Sequence, residues 1–498
     1  MKQSTYYRLM EMIPSTLAWT TIVLMFILSW AIPAWVAVFI ILFDIYWLLR
    51  TVYLSLHLRN SFKKLKTNIR TDWLKKLSND IRTKERWGNV YHLILLPMYK
   101  EPYSVVAETF DQLTKSNYPL DKFIVALAIE EKAGSQAQEV AAKISQKYGN
   151  KFFRFSITVH PDNLPGEIPG KGSNETWCLK QIQKNTVDPM KIPYENFLVS
   201  VFDVDTQVYK DYFGILTHSF LTALDGQHAS YQPVPLFLNN IYKAPALARI
   251  VGFSSTFWQL MQQSRAEKLT TFSSHSVPFK ALWEIGFWQK DIVSEDSRIF
   301  WQFFIHFDGQ WKTVPLFYPV SMDANAAPTF WGTMVNLYKQ QRRWAWGSEN
   351  VAYLLSGFKS NKKISFSKKL YWGFHVLEGY YSWVTSSLII FALGWLPLIL
   401  GGQSFGLTLL AYNLPYVTRW IMILASIGIV SSATLSMAFL PPKPLGFKKI
   451  HNVWYFVSWL LMPATLIFFG SLPALEAQTR LGLSGKFRLD FWVTPKHR

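Results

Sequence analysis

Charged side chains are missing from residues 12–43, and the apolar character runs on past Asp44 and Arg50 to about Leu58. A bilayer-crossing helix needs about 20 apolar residues, so this stretch predicts two spans with a break near Pro33. It is too long for a cleavable leader, and no small-residue cleavage site stands out. Uncharged runs recur at 379–418, 420–440 and 450–475. They predict spans at 379–400 and 416–440 around a short loop at 401–414, and a further apolar helix.

Between 89 and 238 the pattern changes to short apolar runs alternating with segments of helical period. Apolar runs at 90–97, 123–129, 152–159 and 197–202 predict strands, and 103–116, 135–148 and 174–184 predict helices. Such alternation predicts an α/β domain with a mostly parallel sheet. Three of the runs end in polar or acidic residues: Pro97-Met98-Tyr99-Lys100-Glu101-Pro102, Glu130-Glu131, and Asp203-Val204-Asp205. Open α/β sheets bind ligands at the carboxyl ends of their strands, so one edge collects the candidate chemistry.

Composition adds limits. The 498 residues are 50% hydrophobic, 16% aromatic and only 17% charged, which excludes a disordered chain. A single cysteine, Cys178, excludes a disulfide framework, a cysteine zinc site and an iron–sulfur cluster. The net charge of +19 combined with this apolarity fits a membrane protein with basic flanks better than a nucleic-acid binder. Lys2 and Arg8 precede the first span. Arg59, Lys63, Lys64, Lys66, Arg70, Lys75 and Lys76 follow the first pair. Lys359, Lys362, Lys363, Lys368 and Lys369 precede the second pair, and Lys443, Lys448 and Lys449 follow it. The loop 401–415 carries no positive charge. The positive-inside rule therefore places all basic loops, and the α/β domain, on the cytoplasmic side of a multi-pass protein of the plasma (inner) membrane.

Asp203 and Asp205 sit one residue apart after a buried strand, a spacing at which two carboxylates hold a hard divalent cation such as Mg²⁺ or Mn²⁺ that bridges phosphates. Alone, Asp-x-Asp is usually a loop, and its place after a buried strand is what favours the metal-binding reading here. The phosphoryl-acceptor pattern is disfavoured by Gln207, and the chain has no phosphate-binding Gly-x-x-x-x-Gly-Lys-Ser/Thr loop, no His-Glu-x-x-His and no Gly-x-Ser-x-Gly.

Taken in order, Pro97–Pro102, Asp203-Val204-Asp205, Ser294-Glu295-Asp296 and Gln340-Gln341-Arg342-Arg343-Trp344 resemble the motifs of membrane-bound family-2 glycosyltransferases, the group of cellulose, hyaluronan and chitin synthases. Phe491-Trp492-Val493-Thr494-Pro495-Lys496 fits Phe-x-Val-Thr-x-Lys, which resembles the gating loop of cellulose synthases. The resemblance covers about residues 90–350 and the tail. It implies a GT-A, Rossmann-like α/β domain inserted between pairs of transmembrane helices, and a nucleotide-sugar donor (a UDP- or GDP-sugar).

On that resemblance, Pro97, Tyr99, Glu101, Glu130, Glu131, Lys171 and Asp203 would bind the donor. Glu130-Glu131 stand where the family usually has two Asp. Lys171 lies in Gly170-Lys171-Gly172-Ser173-Asn174, where a lysine between glycines at a helix start suits pyrophosphate. Asp203 and Asp205 would hold the metal. Asp296 would be the general base that takes the acceptor hydroxyl proton in an inverting displacement. The triplet Ser294-Glu295-Asp296 also reads as a plain helix cap with an acidic first turn, and a helix N-terminus favours the ionised carboxylate. Glu295, Gln340, Arg343 and Trp344 would face the acceptor or diphosphate. Gln340, Arg343 and Trp344 share one helix face at i, i+3 and i+4, which an amphipathic interfacial helix would also explain. His275 is expected to be structural. Phe491, Val493, Thr494 and Lys496 would close over the site.

The expected layout is a transmembrane hairpin at 1–58, a basic juxtamembrane linker at 59–88, and a catalytic domain at 89–350. Two spans at 371–440 and an interfacial helix with the tail at 450–498 complete it. A tail that closes over a cytoplasmic site requires 452–476 to lie along the membrane instead of crossing it, and makes the sequon Asn174-Glu175-Thr176 a false positive. The chain has fewer spans than cellulose synthases, so the acceptor stays open between a growing glycan and a lipid-linked molecule. A transporter and an inactive scaffold are the rivals from other classes, and neither nucleic acid nor a further cofactor is expected.

Overall fold

A computed structural model of the chain describes residues 5–495. Two apolar helices, Thr5–Ala31 and Pro33–Arg70, open it, and the break falls at Ile32, before the proline. Proline lacks the N–H that would continue the first helix but suits the first turn of the second. The second helix does not stop where the charges begin. It has neither glycine nor proline after its first residue, so its 38 residues run unbroken for about 57 Å. That exceeds a bilayer core of about 30 Å. Leu58 and Leu65, near its far end, pack with Val234, Leu236, Phe257 and Trp459. Residues 59–70, expected to form a linker, are therefore helix, and only the short helix Trp73–Asn79 and turns follow before the domain.

The α/β domain is built on one eight-stranded sheet. Its strands are β1 (Tyr91–Met98), β2 (Phe123–Glu130), β3 (Arg154–His160), β4 (Phe197–Val201), β5 (Gln207–Val208), β6 (Ala229–Phe237), β7 (Ser276–Pro278) and β8 (Lys312–Met322). The spatial order is β3-β2-β1-β4-β7-β6-β8-β5. The first four strands are parallel to one another, whereas β7 runs antiparallel to β4 and β6, and β5 antiparallel to β8. Strand β1 shows why its sequence is a continuous apolar run. Ile94, Leu96 and Met98 face one buried layer, with Val106, Phe110 and Ile144, and Leu93 and Leu95 face the other, with Leu179, Ile299 and Phe303. Helices on both faces leave no side of a parallel strand for water.

After the domain come Phe366–Phe391, bent by 47° into Leu393–Leu400, then Leu409–Phe439, and an apolar helical run Lys449–Leu483. Among the described residues four helices are long and apolar enough to cross a membrane, or five if the bent pair Phe366–Phe391 and Leu393–Leu400 is one span; the four are Thr5–Ala31, Pro33–Arg70, Leu409–Phe439 and Lys449–Leu483. The last one touches the α/β domain at both ends. Trp459 stacks on Phe257 (5.9 Å between rings), and Glu476 pairs with Arg342 at 2.6 Å. Its C-terminal turn also meets the start of the first helix, where Arg8 donates to the Leu481 carbonyl at 2.7 Å.

Candidate active site

The parallel register aligns the ends of β1, β2 and β4, so Tyr99, Glu101, Glu130, Asp203 and Asp205 open onto one cavity of about 900 Å³. Pro97 lines it too. Glu101 accepts the Tyr99 backbone N–H at 2.7 Å, and the ammonium groups of Lys100 and Lys132 lie over the Tyr99 ring. Glu130 is ion-paired to Lys132 at 2.9 Å. Glu131 is placed apart from this group: it is exposed, and its carboxylate accepts the Asp162 N–H at 3.0 Å.

The cavity floor is organised by Lys171. Its ammonium, at the start of the helix Lys171–Ile182, lies 2.8 Å from Asp296 and 3.0 Å from Asp203, with Glu175 and Glu295 each at 3.7 Å. These residues come from three chain segments, joined by one buried cation. Burial opposes the charge on Lys171, but Asp203 and Asp296 outweigh it and hold the ammonium well above its ordinary range. Truncating the lysine would leave buried carboxylates uncompensated, at a cost of about 3–5 kcal/mol. Burial and the adjacent Asp296 charge push the Glu295 carboxyl up to about 8, and burial also raises that of Glu175.

Asp296 lies in the first turn of the helix Glu295–His306. Ser294 precedes that helix, but its hydroxyl donates to Glu349 (2.6 Å) instead of capping the free N–H groups. Thr271 donates to the Asp296 carbonyl at 2.6 Å, and His275 Nδ1 is 3.7 Å from the Asp296 carboxylate. His275 is fully buried and its Nδ1–H donates to the Phe272 carbonyl (3.0 Å); burial holds its pKa below the ordinary value. The pairing of β7 with β4 brings the preceding loop to the acids, so Ser273 donates to Asp203 at 3.0 Å.

Asp205 is fully buried and accepts the Asp323 N–H at 2.9 Å. Asn239 ties the two residues together, donating to the Asp205 carbonyl (2.9 Å) and to the Asp323 carboxylate (3.0 Å). Asp323 follows β8 directly and also lines the cavity, yet the sequence pattern had not singled it out. Its signal was the same as that of Asp203, an acid just beyond a buried strand, but prolines at 315 and 319 obscured the strand. No cluster of three or more His, Cys, Asp or Glu side chains suited to a metal occurs among the described residues. Asp203 and Asp205 fit a hard cation only of the kind that takes one or two carboxylates and completes its shell with phosphate and water.

The helix Phe330–Ala345 brings Gln340, Arg343 and Trp344 to the cavity, while its Tyr338 and Arg342 face Glu476. Gln340 accepts from Asn325 (3.3 Å), and the Trp344 ring lies against Phe272 at 5.8 Å. Phe491, Val493 and Thr494 reach the same cavity, and the Arg343 guanidinium sits 5.1 Å from the centre of the Phe491 ring. Phe491 packs so closely on Gly170 that a β-carbon there would fall 2.7 Å from its ring. Lys496 lies outside the described residues.

No family model matches the chain, and no curated protein matches it. Among solved structures, it is similar to the mannosyltransferase PcManGT of Pyrobaculum calidifontis in complex with GDP-Man and Mn²⁺. That likeness has 12% identity and a TM-score of 0.43, over 89% of this chain and 99% of that one. It is also similar to residues 1–349 of TarS from S. aureus in complex with UDP-GlcNAc, at 12% identity and a TM-score of 0.36, over 76% of this chain and 90% of that one. These values describe a remote likeness of backbone course.

Proposed function

We propose that the protein is a membrane-embedded glycosyltransferase that moves a sugar from a nucleotide-diphosphate donor to a glycan or lipid-linked acceptor, with inversion at the anomeric carbon. The observation that carries this is the Lys171 ammonium bound at once to Asp203 and Asp296, in a cavity that the Gln340–Trp344 helix face and the tail also enter. Tyr99, Glu101 and Glu130 are assigned to the nucleoside, and Lys171 and Arg343 to the diphosphate. In the donor complex, the diphosphate gives the ammonium a second anionic partner and frees the Asp296 carboxylate. Asp296 then takes the acceptor hydroxyl proton while the hydroxyl oxygen bonds to the sugar C1. The C1–O bond to the diphosphate breaks, and the nucleoside diphosphate leaves with that electron pair.

Asp203 and Asp205 are the residues that would hold a divalent cation, whose chemistry is to neutralise the leaving diphosphate. The catalytic domain is assigned to the side of the membrane that carries the basic loops. On that topology the run Lys449–Leu483 lies along the membrane, because both its ends rest on the domain.

The test is nucleoside diphosphate release from purified protein offered a panel of UDP- and GDP-sugars with Mg²⁺ or Mn²⁺. One donor should turn over, and Asp296→Asn should slow it by about 10²–10⁴-fold with donor affinity kept. Equal turnover in the variant would remove Asp296 from the role of base. Binding of no donor by the wild type would end the transferase assignment.

A further inference from the structure

The cavity does not end at the acids. It continues past the loop 265–273 and upward between the helices Pro33–Arg70, Phe366–Phe391 and Leu409–Phe439. Its wall there is apolar, with Leu48, Ile390, Phe391, Ile421 and Ile429. A group of cations borders the same cavity. Arg50, Arg265 and Lys268 border the cavity with His375, and the carboxylate nearest them on its wall, Glu378, already belongs to Arg50 (2.5 Å). Arg50, Arg265 and Lys268 all lie within electrostatic reach of His375.

Arg265 is the most telling of these. It is 6% exposed, its guanidinium donates to Gln262 at 3.2 Å and lies 5.7 Å from the Tyr53 ring, and its Nε has no hydrogen-bond partner. Neither it nor Lys268 forms an ion pair among the described residues. Burial and the neighbouring Arg265 hold the Lys268 ammonium below its ordinary pKa, offset by the exposed Glu267. Asp44 also borders the cavity, six residues earlier on the Arg50 helix and about 9 Å further along it, but is 3% exposed. A buried guanidinium without a carboxylate costs several kcal/mol unless an anion arrives. The position of that anion is tied to the reaction centre. Lys268 is three residues, or at most about 11 Å of chain, from Thr271, which bonds the Asp296 carbonyl.

We infer that Arg265 and Lys268, with Arg50, hold the phosphate of a membrane lipid whose tail lies between the apolar helices, and that this lipid carries the acceptor. The inference rests on the transferase assignment and narrows its acceptor. An uncharged glycan would leave the cations unanswered, and a free phosphate would leave the apolar wall unused. A phosphorylated lipid meets both, because its head is anionic and its tail is apolar.

The experiment uses the full chain in detergent, offered a twenty-carbon isoprenoid alkyl phosphate, the corresponding alcohol, inorganic phosphate or a neutral oligosaccharide. Binding is read by native mass spectrometry and by thermal shift, and UDP and GDP binding is read on the same samples. The alkyl phosphate should bind alone among the four, and roughly 10- to 100-fold more weakly in Arg265→Gln and Lys268→Gln. Arg265→Lys and the half-buried Lys268 variant guard against simple misfolding, since nucleotide binding should persist in both. Equal binding of the alcohol, displacement by inorganic phosphate at similar concentration, binding of the oligosaccharide, or unchanged affinity in folded variants would each overturn the proposal. Arg265-dependent lipid binding without any nucleotide binding would overturn the transferase assignment and leave the lipid site. Nucleotide binding without lipid binding would do the reverse.

Discussion

Glu295 illustrates how much a single side chain depends on its neighbours. It is buried beside Asp296, and its carboxyl is raised from 4.5 to about 8, so the folded chain holds a proton that an unfolded chain has released. The stability this group contributes is complete below about pH 4.5 and is lost as pH rises to about 8. Glu295→Gln should therefore flatten the fall in melting temperature between about pH 5 and 8.5 in detergent. An unchanged slope would mean that Glu295 is ionised throughout. The same neighbourhood shows what one residue type cannot reveal. Lys171 between glycines reads as a phosphate-binding lysine, and only the fold shows it bound to Asp296, which is 125 positions away. Arg265, Lys268 and His375 carry no motif at all. Their interest comes from a shared wall on which Glu378 is already paired to Arg50 and Asp44 is buried.

At the scale of elements, the parallel half of the sheet was legible because each strand is a continuous apolar run ended by a polar turn. The observed β1, β2, β3 and β4 lie within about two residues of the predicted runs. The other half was not, since β6 and β8 contain prolines at 233, 235, 315 and 319, and the ladder between them is irregular at Gln232–Val234. Prolines remove ladder donors and hide a strand from pattern reading. The helix face of Gln340, Arg343 and Trp344 was legible from spacing alone, but not the partner of its other face, Glu476. The tail offers a direct check. Gly170→Ala would press a β-carbon into the Phe491 ring, whereas Gly88→Ala meets nothing within 4 Å. Amide exchange across residues 489–495 should accelerate in the first variant and not in the second. Equal exchange in both would mean that the tail is not seated on Gly170.

For the whole molecule, the proposed sidedness rests on the basic loops and on the contacts of the last helical run. Leu224 in the α/β domain, Leu407 in the uncharged loop and Leu445 before the last run are all strongly exposed. The one native thiol, Cys178, is buried, so single cysteines at these positions can be labelled cleanly. In sealed vesicles, Leu224→Cys and Leu445→Cys should react from one side and Leu407→Cys from the other. Labelling of Leu445→Cys together with Leu407→Cys would overturn the proposed topology and with it the proposed in-plane course of Lys449–Leu483.

The sequence by itself determined the features that are local in the chain. These are the apolar runs, the helix break at Pro33, the acids that end three buried strands, and one face of the Gln340–Trp344 helix. Each follows from the periodicity of helix and strand or from the stereochemistry of proline, which act over a few residues. The tertiary structure alone decided which distant groups meet. It set Lys171 between Asp203 and Asp296, brought Ser273 to Asp203 through the β4–β7 pairing, and joined Asp323 to Asp205. It also gathered Arg50, Arg265, Lys268 and His375 from three segments onto one wall. Such meetings depend on sheet order and on packing across long loops, where the burial of a whole layer outweighs the preference of any single stretch.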